Sequence, residues 1–151
     1  MLRILAIMRT SCRFAMAVHV LTVLGYKEGD RVTSAFLASS VNTNPVVIRR
    51  LLLALQRARL IETRKGAGFG SRLSRSPARI NLAEAFRAVE DDEAFTMPPG
   101  KPNAACPVGQ CIQITLQRVF VSAQSALERE LAKTTLADVL ETVKAACKRG
   151  G

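Results

Sequence analysis

Few side chains in this 151-residue sequence offer chemistry. Cysteines stand at Cys12, Cys106, Cys111 and Cys147, and His19 is the single histidine. Four residues separate Cys106 from Cys111, and Pro107 follows the first of them. Proline suits the first position of a helix, which puts Cys106 at an N-cap and Cys111 about one turn inside. A thiol at the positive end of a helix dipole is favoured as the reactive thiolate. The chemistry this suggests is redox: oxidation to a sulfenic acid, then a disulfide with Cys111 or with Cys106 of a second subunit. The same two residues read equally as small buried hydrophobes. His19 lies in an apolar run without a nearby Cys or carboxylate to complete a metal set, so a satisfied core or interface imidazole is expected there and no metal site. With no Ser/His/Asp set, no paired carboxylates and no nucleotide-binding loop, the chain does not read as an enzyme. A peroxidase built on Cys106 would need a recycling system of which the sequence has no sign.

The second kind of chemistry is electrostatic. Residues 1–82 hold fourteen Lys/Arg against three Asp/Glu, whereas residues 83–151 hold eight against nine. The formal charge of +10 therefore belongs to the first half alone. Such a concentration is the footprint of a phosphate-binding surface. No amphipathic helix carries the aromatic face that favours an anionic membrane. Aromatic residues are 5% of the chain, with no Trp, which disfavours single strands bound by base stacking. Double-stranded nucleic acid is the expected partner.

The elements that must position these charges follow from the pattern between Val32 and Leu82. A short helix from Thr33 to Ser40 meets the polar turn Val41-Asn42-Thr43-Asn44, and a second helix starts with Pro45. Its stripe Ile48, Leu51, Leu52 and Leu55 should pack on the core, leaving Arg49, Arg50, Gln56 and Arg57 outside. After Leu60 the period changes. Ile61 to Arg64 reads as a strand, Lys65 to Gly70 as a hairpin tip, and Ser71 to Ser74 as the return strand. Helix, turn, helix and hairpin form the layout of a winged-helix reader. In that layout Thr43, Asn44, Val46, Arg49 and Arg50 are placed to reach base edges, and Arg64, Lys65 and Arg72 to hold backbone phosphate.

On either side lie further helices. An apolar helix from about Ser11 to Leu24 needs cover on most faces, from the core or from a second subunit. Met8-Arg9-Thr10-Ser11 reads as a second start, making residues 1–7 an extension that adds little to the fold. Ile80 to Glu90 is a short amphipathic helix, and Asp91 to Ala105, an acidic run followed by Pro98-Pro99-Gly100 and Pro102-Asn103, a loop or linker. From Pro107 a long helix carries Ile112, Leu116, Val119, Ala123, Leu127 and Leu131 in one stripe. That stripe is longer than a small domain can cover and asks for a partner helix. Thr134-Thr135 then caps a last helix, Leu136 to Ala146. The expected class is mainly α with a small β-hairpin wing. It divides into a winged helix-turn-helix DNA-binding domain at 8–90, a linker with the candidate sensor cysteine at 91–106, and a dimerisation helix with a C-terminal helix at 107–147.

These motifs resemble the Rrf2 family of bacterial winged-helix regulators. The likeness runs from about Met8 to Val143. It is carried by Met8-Arg9-Thr10-Ser11, by the stretch from Val41 to Leu52, by the wing glycines Gly66, Gly68 and Gly70, by Cys106-Pro107-Val108-Gly109, and by Thr134-Thr135-Leu136-Ala137-Asp138-Val139-Leu140. The resemblance implies a homodimer joined through the long helix that binds palindromic operators, often as a repressor, and senses with cysteines near the start of that helix. Cluster-binding members are similar to one another in having three cysteines about five residues apart. Here only Cys106 and Cys111 stand in that region, and Arg9 to Arg13 offers no carboxylate. No cofactor is therefore expected. The alternative is an iron–sulfur cluster held across a dimer, or with His19 or Cys12 as distant ligands. Where the family has a glycine at the end of the reading helix, this chain has Arg59, which makes a left-handed cap costlier by about 1 kcal/mol.

No apolar run reaches the roughly 18 residues that cross a membrane, and four dispersed cysteines do not read as a disulfide framework. A cytoplasmic location with reduced thiols is expected. The sequence reading is thus a sequence-specific DNA-binding regulator, homodimeric, answering redox or electrophile stress through Cys106. Its alternatives are a cluster-sensing regulator of the same fold and a non-specific architectural DNA binder.

Overall fold

The computed structural model describes residues 2–90 and 93–150, with side chains from residue 12 onward. Among the described residues six α-helices and one two-stranded hairpin follow in the order α1 (Leu2–Tyr26), α2 (Ser34–Val41), α3 (Pro45–Arg57), β1 (Ile61–Arg64), β2 (Gly70–Leu73), a 3-10 turn (Pro77–Arg79), α4 (Leu82–Val89), α5 (Pro107–Ala132) and α6 (Leu136–Arg149). The mainly α class with a hairpin wing is thus observed.

Helix α1 begins at Leu2 rather than near Ser11, since neither Gly nor Pro interrupts the chain before Gly25. Whether the side chains of residues 1–7 add to the packing lies outside the described residues. Ala17, Val20, Leu21 and Leu24 put one face of α1 in the core, against Leu37 of α2 and Ile48, Leu51 and Leu55 of α3. Each fully buried Leu contributes about 1.5–3 kcal/mol.

Local caps decide the helix-turn-helix. The Thr33 hydroxyl accepts from the Phe36 N–H at 3.1 Å and starts α2. Both α2 and α3 end in the same motif, a left-handed residue whose N–H bonds the carbonyl three residues back while the next N–H bonds the carbonyl five residues back. In α2 the left-handed residue is Asn42, with φ 58°, and Thr43 N–H reaches the Ala38 carbonyl at 3.0 Å. In α3 it is Arg59, with φ 59°, and Leu60 N–H reaches the Leu55 carbonyl at 3.0 Å. Asn tolerates that conformation; arginine adopts it under strain.

The hairpin pairs Ile61 with Leu73, Glu62 with Arg72, Thr63 with Ser71 and Arg64 with Gly70. Its return strand begins one residue earlier than the sequence pattern suggests, because Arg64 takes Gly70 as its partner. Val32 joins the hairpin from outside, exchanging two backbone hydrogen bonds of 2.8 Å with Ser71.

Helices α5 and α6 have opposite fates. Helix α6 returns to the domain, placing Leu136 and Leu140 in the same core as α1. Gly25 permits the approach, since a Cβ there would meet Leu140 Cδ1 at 2.6 Å. The return is tied by Leu82 N–H to the Thr134 carbonyl at 3.0 Å and by Leu136 N–H to the Ile80 carbonyl at 2.8 Å. At the start of α6 the Thr135 N–H and hydroxyl donate to the Asp138 carboxylate at 2.7 and 2.9 Å. The backbone bond foremost, then the hydroxyl, hold that carboxyl below its ordinary value. Helix α6 runs to Arg149, three residues past the expected end. Helix α5 leans on α4 and has no buried residue. Phe95 of the preceding loop stacks on Phe120 of α5 with centroids 5.2 Å apart.

The strained cap at Arg59 yields a stability prediction. Arg59→Gly removes the left-handed penalty, partly offset by glycine's extra freedom in the unfolded chain. It should raise the melting temperature by about 2–4 °C, whereas Arg59→Ala, with the same backbone problem, should not. Thermal denaturation of the two variants side by side checks this.

Candidate nucleic-acid interface

Helix α3 is built to show one face outward. Asn44 is its N-cap, with the side-chain carbonyl accepting from Val46 N–H at 2.8 Å, and Pro45 occupies the first turn, where no N–H is missed. Asn44, read as a base contact, thus has a structural task as well, and only its amide NH2 is left for another partner. Ile48, Leu51, Leu52 and Leu55 are buried, as the stripe required. Val46, Arg49, Arg50, Leu53, Gln56 and Arg57 are exposed, and Thr43 is half-buried at the turn.

Adjacent in sequence, Arg49 and Arg50 serve opposite sides of the helix. Arg49 lines a cavity of about 470 Å³ shared with Gln56, Arg64 and Lys65, between α3 and the wing. Arg50 lines another of about 540 Å³ together with Cys12 and Arg13 of α1. The structure therefore gathers Arg49, Arg64 and Lys65 into one cationic notch. Arg72 stands apart from them. Directly opposite Glu62 in the hairpin, its Nε and Nη2 donate to Glu62 Oε2 at 3.2 and 3.1 Å. Both side chains are about half exposed, so the pair is weak, but the carboxylate offsets much of the charge that Arg72 would bring to a phosphate.

Arg31, which the sequence reading passed over, supports the wing by donating to the Gly70 carbonyl at 3.2 Å. Nothing in its local pattern signals this, because the contact spans 39 positions. Gly70 has φ +126°, and a Cβ there would come within 2.9 Å of the Val32 carbonyl oxygen. Of the three wing glycines it alone is required by a close contact.

Cys106 is the N-cap of α5 with no side-chain cap bond, and Cys12, Cys106, Cys111 and Cys147 are all exposed. The reading of Cys106 and Cys111 as buried hydrophobes does not hold within the chain. His19 is not a core imidazole either. It is exposed, with Nε2 3.0 Å from the Ser40 hydroxyl, because α1 turns its Ala17/Val20/Leu21/Leu24 side inward and carries His19 on the other.

A family profile described as Rrf2, iron-dependent transcriptional regulator, matches residues 10–142. YwnA of Bacillus subtilis (strain 168), named for the helix-turn-helix class of transcriptional regulators, is 41% identical over 128 residues, which is 85% of this chain and 94% of YwnA. A crystal structure described as that of a DNA-binding protein is 40% identical with a TM-score of 0.69, covering 85% of this chain and 98% of its own. A transcriptional regulator from Lactobacillus plantarum has a TM-score of 0.73 at 25% identity, covering 87% and 89%.

Iron, in the family description, needs ligands. Among the described residues no three of His, Cys, Asp and Glu come together to hold a metal ion. Cys106 and Cys111 supply two thiols per chain where a cluster normally takes four ligands, so the donors of a single chain do not fit one. Fold, wing and sequence agree: the chain belongs to the Rrf2 family, a transcriptional regulator with a DNA-binding fold and not an enzyme.

Proposed function

We propose that the chain is a homodimeric, sequence-specific regulator of the repressor type that binds palindromic duplex operators and is released by oxidation. The observation that carries the DNA reading is the outward face of α3 beside the wing, where Arg49, Arg64 and Lys65 surround one notch. The start of α3, with Thr43, Asn44, Val46 and Arg49, enters the major groove, aided by the positive end of the helix dipole. Arg64 and Lys65 hold phosphate, Arg50 extends the contact toward α1, and Arg72 adds less because of Glu62.

Support for the homodimer comes from α5. Ile112, Leu116, Ala123 and Leu131 are only half-buried, while Val119 is 55% and Leu127 37% exposed. A 26-residue helix with that stripe open to water is covered when two copies pair along it. A dimer also places two reading helices for a two-fold symmetric site.

Support for redox control comes from Cys106, exposed at the N-cap of that same helix. Peroxide converts its thiol to a sulfenic acid with loss of water. A second thiol then displaces another water to form the disulfide. Cys111 lies five positions on, roughly 7.5 Å along the helix axis, beyond the reach of a disulfide without unwinding. The resolving thiol is therefore Cys106 of the partner subunit, and the bond strains the α5 pairing that spaces the two readers.

Three outcomes test this function. Arg49→Ala should cost about 1–3 kcal/mol on a selected operator and narrow its preference over mixed-sequence duplex, while Arg72→Ala should cost less and leave the preference intact. Equal losses on both DNAs for Arg49→Ala would remove it as a base reader. Changing Leu116 and Leu127 together to Glu buries unpaired charge in the seam. Sedimentation should then show monomer and operator binding should be lost; a tightly binding monomer would refute the dimer. Finally, Cys106→Ser should keep operator bound at a peroxide dose that releases the wild type, and should abolish the disulfide-linked dimer on a non-reducing gel. Release at the same dose would discard Cys106 as the sensor.

A further inference from the structure

The notch between α3 and the wing is not lined by cations alone. Phe69 at the wing tip is 60% exposed and Leu53 on the outward face of α3 is 48% exposed, and both line the same cavity as Arg49, Arg64 and Lys65. Neither belongs to the core. Single exposed apolar side chains are ordinary on a protein surface. Here two large ones share a cleft with three cationic side chains. Phe69 stands on a tip of Gly66, Ala67 and Gly68, both glycines at positive φ, so no bulky neighbour covers its ring within the tip.

A DNA strand has the matching alternation. Along its backbone each anionic phosphate is followed by a deoxyribose that offers a C–H face and lacks the 2′-hydroxyl of RNA. We propose that the notch grips one strand of the duplex, with Phe69 and Leu53 packed on deoxyribose faces and Arg64 and Lys65 on the flanking phosphates, while Arg49 reaches past them to the base edges. This rests on the DNA-binding reading above and adds a prediction of its own: part of the grip is insensitive to salt. Each phosphate neutralised by a cation steepens the salt dependence of binding, whereas an apolar contact releases no counterions.

The experiment is a titration of a fluorescent mixed-sequence DNA duplex over a series of salt concentrations with four proteins: wild type, Phe69→Ala, Phe69→Leu and Lys65→Ala. Phe69→Ala should bind about tenfold more weakly at every salt concentration, with the slope of log K against log salt unchanged. Phe69→Leu should recover most of the loss, and Lys65→Ala should flatten the slope by about one unit. Thermal melting of Phe69→Ala should match the wild type, because the ring is not part of the core. If the wild type binds the duplex and Phe69→Ala binds as well as it does, or loses affinity together with slope, the sugar contact is wrong while the DNA-binding reading stands. If the wild type binds no duplex at all, both fail.

Discussion

The wing holds its place through one buried backbone pairing. Val32 and Ser71 exchange two hydrogen bonds of 2.8 Å, and Ser71 is buried. Losing either bond would leave a buried donor or acceptor unpaired, at a cost of about 1–3 kcal/mol. The next residue, Thr33, caps α2, so the same short step of chain begins the helix-turn-helix and anchors the hairpin. Gly70 lets the two backbones meet, and Arg31 holds its carbonyl. The width of the notch between α3 and the wing is therefore set at residues 31–33, far in sequence from the cations Arg49, Arg64 and Lys65 that line it.

Charge and packing divide the chain along different lines. The positive excess stops near Leu82, whereas the core continues to Leu140 because α6 folds back onto α1. Between them α5 is left as a long helix resting on α4, which also touches α3. A displacement of α5 would thus bear on an element that is itself packed against α3. The Arg87–Glu128 pair at 3.8 Å is one more tie between α4 and α5, too exposed to be strong.

Much of this was legible beforehand where the signal is local. Pro45 and Pro107 mark helix starts, the polar stretch around Asn42 marks the break between two helices, and the change of period after Leu60 marks the hairpin; that Thr33 caps α2 from outside instead of opening it was not read. The apolar stripe of α3 was legible because a buried face repeats with the helical turn. What misled were features without a local signature. His19 sits in an apolar run, yet the direction in which α1 rolls leaves it in water. The start of α1 had no punctuation, and the pattern alone could not extend it to Leu2.

Taken alone, the sequence determined the elements, the polarity of α3, the basic half and the cysteine at a helix start, since propensity, capping and charge are properties of short stretches. Only the tertiary structure decided that Arg49 joins Arg64 and Lys65 while Arg50 faces α1, that Glu62 holds Arg72, that Arg31 braces the wing, and that α6 returns while α5 does not. Those outcomes depend on which surfaces meet, and a meeting between residues 31 and 70, or 25 and 140, is chosen by packing of the whole chain rather than by any stretch of it.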